Sequence, residues 1–204
     1  MNKFMTIPPA VEPISLAEAK LHLRVDHIDD DALISNLIIS CRQLVESHIH
    51  MSLIEQVWRW TFDKWSEVTK FKTDNNGKVT IFPASGGHYI SLPQKPLIGV
   101  DNITTYDTDD LPTAWDLSNI ILDKGEGRIY RLSGSSWPIA SREIGGIEIT
   151  FRVGYGVNPT DVPAPIRQAI LQMVAHYYQY RDEPAAQMPS TAVSMLRPYK
   201  KWRM

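Results

Sequence analysis

The sequence predicts an α+β fold: a helical bundle from the N- and C-terminal segments, an inserted antiparallel β domain, and an extended C-terminal arm. Three observations predict it. All eleven glycines lie between Gly77 and Gly156, and five of the six tryptophans lie between Trp58 and Trp137. No methionine occurs from Ser52 to Gln172. Two stretches of apolar residues at helical period flank this middle. Glycine punctuates turns and aromatic residues favour strands, so the middle reads as β and the ends as helix.

Ser15-Leu16-Ala17-Glu18 is a capping box, in which the serine hydroxyl and the glutamate carboxylate each satisfy a free amide. A short helix to about Arg24 follows. Asp29-Asp30-Asp31 then opens a second helix, with carboxylates expected to cap its first amides. Leu33, Ile34, Leu37, Ile38, Cys41, Leu44, Val45, His48 and Ile49 form one wide apolar stripe, which predicts a helix from Asp30 to about His50. From Ile54 the period changes. Trp58, Trp60 and Phe62 alternate with Arg59, Thr61 and Asp63 at strand spacing. Further strands are expected at Lys78–Phe82, Tyr89–Leu92, Leu97–Tyr106, Gly127–Leu132 and Gly146–Val153, separated by Gly- and Asn-rich turns.

Asp161-Val162-Pro163-Ala164-Pro165 starts the last long helix, with Ile166, Ala169, Ile170, Met173, Val174 and Tyr177 on one face and Pro184 as its stop. A short helix is expected at Thr191–Leu196. A lone amphipathic helix cannot bury its stripe, so the terminal helices are expected to pack together, with Leu37 and Ile170 in their shared core. This divides the chain into a helical part at 1–55, an inserted β domain at 56–158, a bundle helix at 159–184 and a docking arm at 185–204.

Composition narrows function. The 204 residues carry 21 Lys+Arg and 23 Asp+Glu, a net charge of −2, which opposes a basic nucleic-acid coat. One cysteine excludes an internal disulfide. No run of 18 apolar residues predicts a membrane helix. No signal-peptide pattern opens the chain, so a cytoplasmic site of synthesis and use is expected.

The candidate chemistry is thin. His48 and His50 sit two apart and diverge by about 200° on a helix, which does not suit a zinc pair. Asp29–Asp31 lacks the alternate ligands and glycine of a calcium loop. Gly125-Glu126-Gly127 and Gly154-Tyr155-Gly156 lack phosphate-loop spacing. No GxSxG or HExxH motif is present. The expectation is no enzyme, no metal and no cofactor. Trp58, Trp60 and Trp65 offer one alternative, a stacking platform for carbohydrate or nucleic acid; alternating tryptophan in a strand more often fills a core.

The tail stands out. After Glu183 there is no acidic residue, while Arg197, Lys200, Lys201 and Arg203 are basic and Tyr199 and Trp202 are interleaved. Residues 1–55, by contrast, carry four Lys+Arg against eight Asp+Glu. A basic aromatic tail on an acidic body reads as an arm that docks on a partner, poorly ordered alone over Ser190–Met204.

Several strings bear a resemblance to a known family. They are Glu12-Pro13-Ile14-Ser15-Leu16-Ala17-Glu18-Ala19-Lys20-Leu21-His22-Leu23-Arg24-Val25, Asp29-Asp30-Asp31-Ala32-Leu33-Ile34 and Leu53-Ile54-Glu55-Gln56. The last two are Asp161-Val162-Pro163-Ala164-Pro165-Ile166-Arg167-Gln168-Ala169-Ile170 and Leu196-Arg197-Pro198-Tyr199-Lys200-Lys201-Trp202-Arg203. In this order the set resembles the head–tail connector family of long-tailed bacteriophages, also called adaptor or head-completion proteins. The resemblance implies a virion structural protein that forms a ring, typically of twelve copies, under the portal protein. It implies a channel through which DNA passes without sequence-specific binding, and a platform for the next neck or tail-completion protein. It places the protein in the virion neck, after assembly in the host cytoplasm and away from membranes. It maps the portal contact onto Arg197, Tyr199, Lys200, Lys201, Trp202 and Arg203.

Overall fold

The computed structural model describes residues 1–68, 72–73, 79–80, 89–132, 134–180 and 188–200. The chain divides into two compact units, one of Met1–Pro8 with Gln56–Val153 and one of Pro9–Glu55 with Gly154–Met204.

The second unit is helical. Its helices are α1 (Leu16–Leu23), α2 (Asp31–Ile49), α3 (Ala164–Gln179) and α4 (Ser190–Leu196). α1 begins as the capping box requires: Ser15 Oγ accepts from the Glu18 amide at 3.2 Å, and the Ser15 amide donates to Glu18 Oε2 at 2.9 Å. Arg24 ends it in the left-handed conformation, φ 58°. α2 turns Ile34, Ile38, Cys41, Val45 and Ile49 inward. α3 faces them with Ile166, Ala169, Ile170, Met173 and Val174. Ile170 is fully buried, whereas Leu37, one position off the inward line of α2, packs on the core from its rim.

The acidic run does not cap α2 as expected. Asp30 makes no side-chain capping bond; it accepts instead from the Tyr178 hydroxyl of α3, and Asp31 pairs with Lys20 of α1. A hydroxyl and an ammonium brought close by packing compete with the helix amides for these carboxylates.

The expected break at 158 falls at 153 instead, because the returning chain lies beside the departing one. Tyr155 N donates to Leu53 O at 3.0 Å and Glu55 N to Gly156 O at 2.8 Å. Gly154 makes this approach possible: its φ is +135°, and a Cβ would lie 2.6 Å from the Ile54 carbonyl carbon.

Among the described residues the other unit holds ten strands, in chain order β1 (Asn2–Ile7), β2 (Gln56–Phe62), β3 (Lys72–Thr73), β4 (Val79–Thr80), β5 (Tyr89–Ser91), β6 (Leu97–Tyr106), β7 (Pro112–Ala114), β8 (Ile120–Asp123), β9 (Arg128–Arg131) and β10 (Ile147–Val153). Five make a sheet in the order β1-β2-β10-β6-β7, three make a sheet β5-β9-β8, and β3 pairs with β4. All pairings between these strands are antiparallel. Trp60, Phe62, Ile103, Ile147, Ile149 and Phe151 of the larger sheet share one core with Ile90 and Ile129 of the smaller. Alternation explains the larger sheet: along β10 every second residue, from Ile147 to Val153, is buried.

Residues 1–8 correct the expected helical part at 1–55. Asn2–Ile7 runs antiparallel to β2, with Lys3 opposite Trp60 and Met5 opposite Trp58. β3, β7 and β8 are also additional to the expected strands. Of the strand expected at Lys78–Phe82, Val79–Thr80 is described; Lys78, Ile81 and Phe82 lie outside the described residues, as does Pro184.

Candidate partner-docking site

The C-terminal segment takes its position from α4. Ala192 and Leu196, one turn apart, are fully buried in the helical core, and Met188, Met195 and Tyr199 pack against it. The expectation of a poorly ordered segment over Ser190–Met204 therefore fails for its described part. α4 passes into a single tight turn at Arg197–Tyr199 with Pro198 inside it, closed by Lys200 N donating to Arg197 O at 3.3 Å.

This geometry separates the six expected contact residues. Arg197 is exposed. Tyr199 is half-buried beside Tyr155, whose phenol is pushed up first by burial and then by Tyr199 itself. Tyr155 in turn donates to Met51 Sδ at 3.8 Å. Lys200 lies near the C-terminal end of α2. Burial holds the His48 imidazole below its ordinary value, and the Lys200 and His50 charges add to that. Lys201, Trp202 and Arg203 lie outside the described residues. The root of the tail is thus fixed to the helical unit through Leu196 and Tyr199, with one cation, Arg197, facing outward.

Two charged networks stiffen the body that carries this root. Arg42, 4% exposed, donates through Nε to Glu12 at 2.7 Å and through a terminal nitrogen to Glu46 at 2.8 Å. The other oxygen of Glu46 accepts from Leu53 N at 2.8 Å. Arg167 of α3 donates to Glu18 and, through Nε, to Pro13 O at 3.1 Å. The Glu18 carboxyl is held below its usual range, chiefly by its bond from the Ser15 amide and further by Arg167. Two of the quoted strings therefore meet in space: the capping box of one is clamped by the arginine of the other. Sequence reasoning missed Arg42, although an arginine inside an apolar helix stripe with a glutamate four residues on is a readable signal.

The other expected sites behave differently. Trp60 is buried, and Trp58 is half-buried, with Nε1 donating to Gln56 Oε1 at 3.0 Å. Trp65, Trp115 and Trp137 line or adjoin a hollow of about 430 Å³, but their faces are occupied by one another: Trp65 stacks on Trp137 at 4.6 Å, and Trp115 lies 5.2 Å from Trp137. Trp65 and Trp137 thus each spend one face on the other. Burial pushes the Cys41 thiol up to about 12, which removes it as a nucleophile at neutral pH. Among the described residues no group of three or more His, Cys, Asp or Glu could hold a metal ion. No described helix is long and apolar enough to cross a membrane.

Comparison with known proteins agrees with the resemblance read from the strings. Residues 13–81 match the family model of the phage gp6-like head-tail connector protein. No curated protein sequence matches the chain. Among solved structures, the fold is similar to a chain in the neck of an empty gene transfer agent particle computed with C6 symmetry. That match has a TM-score of 0.78 and 20% identity, over 100% of this chain and 97% of the other. A chain in the virion of the native particle matches with a TM-score of 0.75 at 20% identity, again over 100% and 97%. A chain in the native neck computed with C12 symmetry matches with a TM-score of 0.72 at 22% identity, over 98% and 97%.

Proposed function

We propose that this chain is a structural protein of a virion neck, a head–tail connector. The observation that carries the reading is the fold shared end to end with neck chains, joined to a head–tail connector family match over residues 13–81. Copies assemble as a ring, twelve in the simplest case, beneath the portal. The ring extends the DNA channel and presents a platform for the next neck or tail-completion protein. Its role is positional rather than catalytic, and the protein moves from host cytoplasm to virion neck as the particle matures.

The tail is the portal contact. Arg197 and the basic aromatic run Lys200, Lys201, Trp202 and Arg203 supply charge and an aromatic anchor, while Tyr199 fixes the root of the tail to the helical unit. Several weak contacts per copy, repeated around a ring, then act together. Removal of residues 201–204 tests this. The truncated protein is expected to keep its melting temperature and to leave filled or leaking heads without tails. Wild-type occupancy of the truncated protein on portals, counted by electron microscopy, would refute the tail as anchor. Absence of the full-length protein from the neck would refute the connector role itself.

A further inference from the structure

The larger sheet of the β unit ends in two unlike edges. β7 is three residues long and begins with Pro112, which has no amide hydrogen to offer. Short length and proline are common protections of an open edge. β1 has neither. It is six residues long, with β2 on one side and, among the described residues, no strand on the other. Lysine is another such protection, but Lys3 lies over the Trp58 ring, 5.6 Å from its centroid. Phe4, Met5 and Ile7 are 41%, 41% and 57% exposed. Among the described residues, a backbone ladder flanked by apolar side chains is left open.

We propose that β1 pairs antiparallel with β1 of a second copy about a two-fold axis, which joins two five-stranded sheets into one of ten strands. The open ladder dictates an extended strand as occupant, since only a strand satisfies successive N–H and C=O groups. Length selects which one. The other open edges of the two larger sheets are β5 and β7 with three residues each and β8 with four. Among the described residues β1 is matched in length by itself. Pairing centred on Phe4 sets Lys3 opposite position 5 of the partner strand, and pairing centred on Met5 sets it opposite position 7, so no like charges face each other. The register irregularity between Met5 and Ile7 lies toward one end and leaves Asn2–Met5 regular.

A two-fold contact uses the same patch on both copies and closes on itself. It cannot propagate into a ring, so it belongs to the free protein and stands independently of the connector reading. One strand pair is smaller than the roughly 1,200–2,000 Å² of a stable interface, so the dimer is weak and concentration-dependent.

Sedimentation equilibrium of the full-length protein tests the pairing up to high micromolar concentration, since a contact of this size is weak. A monomer–dimer equilibrium is expected, weakened at least tenfold by Phe4→Lys, which sets two cations across or beside the axis. The separate substitutions Phe4→Cys, Met5→Cys and Thr6→Cys provide a second measurement if Phe4→Lys unfolds. At least one is expected to cross-link to its own copy on mild oxidation, while Cys41, fully buried, stays inert. A protein that is monomeric throughout, a dimer that Phe4→Lys leaves intact, or a cysteine series that never cross-links overturns the proposal.

Discussion

Replacing Arg42 with methionine tests whether the helical unit depends on its buried charge network. Methionine keeps much of the stem's volume and removes the guanidinium. Glu12 and Glu46 then lose the partner they reach at 2.7 and 2.8 Å. Breaking a buried pair costs about 3–5 kcal/mol where the remaining charge stays dry. Here the glutamate side chains are 25% and 16% exposed and regain some water, so about 2–4 kcal/mol is expected. With a urea slope of about 2 kcal/mol/M, the unfolding midpoint falls by about 1–2 M. Far-UV circular dichroism follows the helices, while the fluorescence of five of the six tryptophans reports the β unit. The helical signal is therefore expected to shift more than the fluorescence. The triple variant Arg42→Met, Glu12→Gln, Glu46→Gln should recover most of the loss. Neutral amides tolerate burial better than unpaired carboxylates, and the amide oxygen introduced by Glu46→Gln can still accept from Leu53 N. A single variant within about 0.5 kcal/mol of wild type, the range of an ordinary surface change, would refute the reasoning. So would a triple variant as unstable as the single.

Other expectations follow from the same core. Ile38→Asp should cost about 3–5 kcal/mol or prevent folding, because it buries an unpaired charge at a site 3% exposed, whereas Leu37→Asp on the rim should cost clearly less in the same thermal melt. His48 is held below its ordinary value, so the unfolded chain binds its proton first as pH falls. Its contribution is intact above about pH 6.5 and is lost as pH drops below that. His48→Gln should flatten this part of a stability–pH profile, and an unchanged slope would count against the burial and Lys200 argument.

Legibility in the sequence followed the range of the forces involved. The capping box and the inward stripe of α2 depend on residues within a turn or two, and both were readable. β6 was readable end to end because Leu97–Tyr106 is bounded by turns and rich in branched residues. β1 was not readable, because an edge strand with five of its six residues exposed shows no buried-and-exposed alternation. β8, Ile120–Asp123, hides its period for a different reason: it opens with three consecutive aliphatic residues. The Glu18–Arg167 clamp and the Arg42 network span 149 and 30 residues of chain, so neither is visible before the helices are packed. The acidic reading of residues 1–55 was correct as arithmetic and incomplete as physics: Glu12, Glu18, Asp31 and Glu46 are each paired with a cation inside the unit.

The tail shows how two signals in one segment can be weighed wrongly. Its charge says partner, and its spacing says core. Ala192, Leu196 and Tyr199 stand at i, i+4 and i+7, the period of a helix that packs, and Ala192 and Leu196 have no exposed surface. On the proposed reading the segment is two devices in series, an internal anchor to Tyr199 and a docking run from Lys200. A cut at residue 198 would remove the Tyr199 ring from beside Tyr155 and mix a stability defect with a docking defect. Tyr199→Ala and removal of 201–204 keep them apart. The first should destabilise the helical unit by about 1–3 kcal/mol, since its ring is half-buried, while the second should leave stability unchanged and affect attachment alone. If the two variants have the same effect in both assays, the tail is one device and the division at Tyr199 is wrong.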